Sequence, residues 1–171
     1  IYILLFMLSS VITYSQGSNC SNSFKETFEG YSVGSNFVYQ SRLNGDNCFS
    51  TWDCTNGLNN PQDAIIRNSS YSGNYLNFYS LYSGGGPDDI VRYLGNKTKG
   101  VYELCFDIRV RSGKCAIYSL LHNFVCNDPY SSDYAFTTRF TGNYIQVQLG
   151  YNNYWSNITS YSNNAWSRVK Y

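Results

Sequence analysis

The chain has 171 residues, with 12 Lys and Arg against 11 Asp and Glu, a net charge of +1 and only 13% charged residues. That length suits one domain with a proper core. The charge balance excludes the clustered basic surface that nucleic acid requires, and no run of like charges suggests an anionic membrane.

Residues 1–15 read IYILLFMLSSVITYS, an apolar run that gives way to small residues, with Thr13 and Ser15 just before Gln16. This is the apolar region and cleavage site of a signal peptide whose start is missing. It is too short for a transmembrane helix, which needs about 20 apolar residues. Residues 16–23 are a polar lead-in, and residues 24–171 are expected to form one β domain. All six cysteines, Cys20, Cys48, Cys54, Cys105, Cys115 and Cys126, follow the cleavage site. An even count in an exported chain reads as disulfides. Cys48 and Cys54, close together in a loop-like stretch, are the favoured pair. No Cys-x-x-Cys and no histidine at metal spacing occurs, which argues against zinc.

Along the domain, residues 23–29 alternate and end at Gly30, a first strand. Residues 30–61 are loop-like and contain Trp52. Short strands follow at 63–67 and 74–81, separated by a turn. The breaker-rich stretch 83–88 leads into a strand at 89–94. Residues 101–111 carry the clearest period of two, with Tyr102, Leu104, Phe106, Ile108 and Val110 on one face and Glu103, Cys105, Asp107, Arg109 and Arg111 on the other. Ser112-Gly113 is expected to turn this strand into a hairpin with 114–122. A second hairpin joins 134–140 to 144–150, with Ile145, Val147 and Leu149 inward. A last strand covers 165–171. No stretch has a convincing 3.6-residue period, so the pattern predicts an all-β sandwich.

The order of segments resembles the concanavalin A-like lectin and glucanase domains, a group that includes laminin G- and MAM-like modules. The resemblance lies in Thr27-Phe-Glu-Gly-Tyr-Ser-Val-Gly34, Asp63-Ala-Ile-Ile66, Ser72-Gly-Asn-Tyr-Leu76, Gly100-Val-Tyr-Glu-Leu-Cys-Phe-Asp107 and Asn164-Ala-Trp-Ser-Arg-Val-Lys170. It is nearest to modules of secreted, multidomain Bacteroidetes proteins. It implies a jelly roll of two stacked antiparallel sheets, C-terminally incomplete here, with further domains in the same chain. Relatives hold structural calcium near the first strand, which implies Glu29, with Asp88 and Asp89 as further ligands. The curved sheet is where relatives bind or cleave glycans.

Cleavage needs two carboxylates on one face at about 5 Å for retention. Glu26 and Glu29 face opposite ways on a strand, and Glu103 and Asp107 are roughly 13 Å apart. No nucleophile elbow accompanies the single histidine, His122. The chain therefore reads as non-catalytic: a binding or adhesion module of a secreted or cell-surface protein, recognising polysaccharide. The alternatives are a structural module beside a catalytic domain and a fragment of a glycoside hydrolase. Sugars need aromatic platforms beside planar polar groups. Two faces offer them. One gathers Asp107, Arg109, Tyr118 and His122. The other gathers Tyr144, Gln146 and Gln148, with Tyr151, Tyr154 and Trp155 in the next loop.

Overall fold

The computed structural model describes residues 2–7 (backbone only), 20, 25–79, 88–95, 103–149 and 154–171. Expectations for residues 16–19, 80–87 and 96–102, and for Tyr151, lie outside them. The described residues form eleven strands and one helix: β1 Tyr2–Met7, α1 Phe37–Leu43, β2 Phe49–Thr51, β3 Ile65–Ser69, β4 Gly73–Asn77, β5 Asp89–Tyr93, β6 Cys105–Arg109, β7 Ala116–Asn123, β8 Asp133–Thr141, β9 Tyr144–Leu149, β10 Ser156–Ser160 and β11 Trp166–Lys170. The protein is mostly β, as the short alternating segments predict.

One sheet has seven strands in the order β10-β9-β8-β7-β1-β5-β2, and two ribbons, β11-β6 and β3-β4, lie apart from it. The layers are tied by side chains of alternating strands. Ile90 of β5 and Phe49 of β2 share a buried cluster with Ile66 of β3, Ala64, and Phe37 and Val38 of α1. Ala116 and Tyr118 of β7 and Phe140 of β8 share another with Val169 of β11 and Val110. The ribbons thus cover one face of the large sheet in a sandwich-like arrangement. At Val91 the β5 side chain turns to the other face, where Trp52 and Leu121 bury it with Phe124, Tyr93 and Tyr134.

Five local expectations change. The described part of the first strand, residues 25–30, is irregular and then turns. The stretch 30–61 holds both α1 and β2. Seven residues are too few to display a helical period, and the Asn36 side chain does not cap the helix. The cap comes from outside. The backbone N–H groups of Val38 and Tyr39 donate to the Asp63 carboxylate at 2.8 and 3.0 Å, which satisfies groups a helix start leaves unpaired.

The Ser112-Gly113 turn does not make a hairpin. β6 pairs with β11 in one ribbon, while β7 pairs with β1 and β8 in the large sheet. The turn carries the chain from one layer to the other. The β6 alternation itself holds, with Phe106 and Ile108 half-buried and Cys105, Asp107 and Arg109 exposed. The β8–β9 hairpin also forms, on a Gly142-Asn143 turn with both φ values positive, 54° and 70°. Two such residues twist the turn to match the strands. At the far end of β9, Leu149 is 68% exposed rather than inward.

The fifth change is the disulfide. Cys48 and Cys54 do not pair. Cys20 bonds Cys48 and Cys54 bonds Cys126. β2 stands between Cys48 and Cys54 as an extended segment, which carries the two thiols to its opposite ends. Cys105 and Cys115 are free thiols.

Tyr2–Met7, the apolar part of the signal-like segment, runs as β1 between β5 and β7 and parallel to both. Every other paired strand in the large sheet is antiparallel to its neighbour. No helix among the described residues is long and apolar enough to cross a membrane.

Candidate functional site

The face of β8, β9 and β10 turned away from the ribbons is built in rows by strand register. Ile117, Arg139, Gln146 and Asn157 stand opposite one another across four strands. Ser119, Thr137 and Gln148 form the next row, and Thr141, Tyr144 and Ser160 flank the other side. Residues directly opposite in an antiparallel pair share a face, so each row sets its side chains side by side.

The central row is wired together. Arg139 Nε donates to Gln146 Oε1 at 2.5 Å, and Gln146 Nε2 donates to Asn157 Oδ1 at 2.6 Å. The Arg139 guanidinium lies 4.0 Å from the centroid of the Trp155 ring, a cation–π stack. In the neighbouring row the Ser119 and Thr137 hydroxyls hydrogen-bond at 2.8 Å. The Tyr144 ring on this face is 50% exposed, and Tyr154, next to Trp155 in the chain, is 81% exposed. The result is a set of planar polar groups held flat beside aromatic rings. That is the chemistry a sugar needs, because its C–H faces stack on rings and its hydroxyls bond in pairs to amides and guanidinium.

Of the residues expected here from sequence, the structure brings Gln146 and Trp155 into one network, with Tyr144 and Gln148 on the same face and Tyr154 beside Trp155 in the chain. Sequence reasoning missed Arg139 and Asn157. Arg139 was legible as the residue opposite Gln146 once the hairpin turn at Gly142-Asn143 was placed. Asn157 was not, since β10 had not been recognised as a strand.

The other proposed face does not assemble. Tyr118 is 1% exposed and stands in the core between the layers, with edge-on ring contacts to Phe106 at 5.1 Å and Tyr171 at 5.3 Å. Burial pushes its hydroxyl well above the usual tyrosine range. It was expected to face outward because a β6–β7 hairpin would have set it beside Asp107 and Arg109. The layer change at residues 112–113 removes that pairing. Asp107 instead meets Arg168 of β11 in a two-pronged ion pair at 2.8 and 2.7 Å, and this bond and charge hold its carboxyl below the usual range. Arg109 Nε donates to the Asn164 carbonyl at 2.9 Å. Glu103 pairs with Lys170 at 2.8 Å. His122 is exposed near the end of β7.

The residues implied for calcium are spread apart. Glu29 Oε1 accepts the Asn74 N–H at 2.8 Å and lies where a Cβ on Gly73 would stand. Asp88 accepts the N–H of Tyr79, five residues further along that segment, on the order of 15 Å away. Asp89 is neighbour to Asp88 on β5, where successive side chains take opposite faces. Its Oδ1 is buried without a hydrogen-bond partner among the described residues. Among those residues no group of three or more His, Cys, Asp or Glu is placed to hold a metal ion. Burial raises the Asp88 carboxyl to about 6, aided by nearby Asp63, and raises Asp63 to about 6 despite its backbone hydrogen bonds.

Comparison with family models, with curated proteins and with solved structures finds no match to this chain.

Proposed function

We propose that this chain is a non-catalytic binding module of a secreted or cell-surface protein, with a jelly-roll sandwich of the concanavalin A-like type, and that it recognises polysaccharide on the β8–β9–β10 face. The observation that carries the reading is the Trp155–Arg139–Gln146–Asn157 network, a ring and three planar polar groups fixed across adjacent strands. Fixing these groups before binding lowers the entropic cost of ordering them around a ligand. The sandwich-like layering supports the fold, and two disulfides suit an oxidising compartment. The carboxylates once considered for hydrolysis, Glu103 and Asp107, are each held by a cation of β11.

The test is retention of the full chain by plant, algal and bacterial polysaccharides in affinity electrophoresis, with calcium and with a chelator. Retention by one class is expected, lost on Trp155→Ala or Tyr144→Ala and kept on Asp107→Asn. A folded, disulfide-intact sample retained by none of them would overturn the reading. It would favour a structural module beside a catalytic domain.

A further inference from the structure

We propose that the polysaccharide taken by this face is anionic, and that Arg139 is the group that selects it. The inference rests on the polysaccharide reading above and narrows it to a charge class.

Three cations of the strands are neutralised by carboxylates, whereas Arg109 of β6 donates to the Asn164 carbonyl on the ribbon. Arg92 of β5 pairs with Asp46 at 3.0 Å, Arg168 of β11 with Asp107 at 2.7 Å and Lys170 of β11 with Glu103 at 2.8 Å. Arg139 has no carboxylate partner among the described residues. Its Nε is occupied by an uncharged amide and its flat face by a ring, and no described residue accepts from its two terminal nitrogens. The rows around it hold Ile117, Asn157, Gln146, Ser119, Thr137, Gln148, Thr141, Tyr144 and Ser160 across the four strands, with the free thiol of Cys115 against Thr141 and within the field of Arg139. No Asp or Glu stands among them. The single carboxylate on β8, Asp133, is six positions away, about 20 Å along the strand.

These facts combine into a specificity argument. Gln146 and Trp155 fix the guanidinium plane, so its remaining N–H groups form a preset fork. A carboxylate or a sulfate ester matches that fork with two parallel charge-assisted bonds. Two neighbouring hydroxyls of a neutral sugar can also span the fork, but their bonds are not charge-assisted and they leave the positive charge uncompensated. The aromatic rings supply the part of recognition that is blind to charge, and Arg139 supplies the part that reads it. A lysine at the same place would keep the charge and lose the fork.

The experiment uses the full chain with three probes: polygalacturonate, the same polymer fully methyl-esterified, and a sulfated galactan. Retention by polygalacturonate or the sulfated galactan and loss on methyl esterification are expected, and which of the two anions is retained distinguishes carboxylate from sulfate. Arg139→Gln keeps a hydrogen-bonding side chain beside Gln146 and is expected to weaken anionic binding tenfold or more. Arg139→Lys is expected to fall between, and Arg168→Gln on the ribbon face to change nothing. Raising the salt concentration should weaken retention, as for any exposed charge pair. Equal retention of the esterified polymer, unchanged by Arg139→Gln, would overturn the anionic assignment and leave the polysaccharide reading standing. Retention by none of the three and by no neutral glucan or mannan would overturn both.

Discussion

Asp88 is 6% exposed, and the hydrogen bond described for its carboxylate is the one from the Tyr79 N–H. Burial is the chief cause of its raised pKa, about 6 against an ordinary 3.8, with the charge of nearby Asp63 adding to it. Between those two values the folded chain holds a proton that the unfolded chain has released. Stability therefore falls as pH rises through that window, and the loss is complete above about 6. A shift of this size corresponds to about 3 kcal/mol at neutral pH. Asp88→Asn keeps an oxygen for Tyr79 and removes the charge. It should raise stability at pH 7 by about 1 to 3 kcal/mol and change little at pH 4. For a chain of this size, each kcal/mol moves the melting temperature by about 2 to 4 °C. Thermal unfolding followed by circular dichroism from pH 4 to 7 measures both arms. Asp63 shifts in the same direction, so the variant should flatten the slope without abolishing it. A variant no more stable than the parent at pH 7, or a parent whose stability climbs steadily from pH 4 to 7, would refute the reasoning.

Two further outcomes are expected. Cys126→Ser breaks the bond to Cys54, which spans 72 residues and joins loops over the Trp52–Phe124 contact; denaturant unfolding should show a loss of about 2 to 5 kcal/mol, and an unchanged midpoint would refute it. A chain beginning at Gln16 lacks β1, the partner of five residues of β5 and six of β7. It should melt well below the full chain, because buried strand groups left unpaired cost about 1 to 3 kcal/mol each; equal melting temperatures would show that β1 does not support the sheet.

That last comparison bears on a conflict within one segment. An apolar run reads as an export signal, and the same run forms a strand between two others in the sheet. Cleavage after Ser15 would leave the facing edges of β5 and β7 about 10 Å apart, two strand spacings. An exported form must then refill that place or close it.

The sequence by itself determined the class of structure and the strands that alternate or flank a clear turn. Alternation along residues 105–109 and the Gly142-Asn143 turn are properties of near neighbours, so β6 and the β8–β9 hairpin could be read directly. The outward face of β9, Tyr144, Gln146 and Gln148, was legible for the same reason. What only the tertiary structure decided were the contacts between distant segments. Asp63 caps α1 from 25 residues away, and the helix is too short to announce itself. Cys48 finds Cys20 and Cys54 finds Cys126 because β2 holds the nearer pair apart. The turn at residues 112–113 could have closed a hairpin or crossed between layers, and its local chemistry is the same in both. That choice sent Tyr118 into the core and left Arg139, on the opposite face of the large sheet, beside Trp155. A side chain's period names its face, but which surface that face meets depends on pairing across the whole fold.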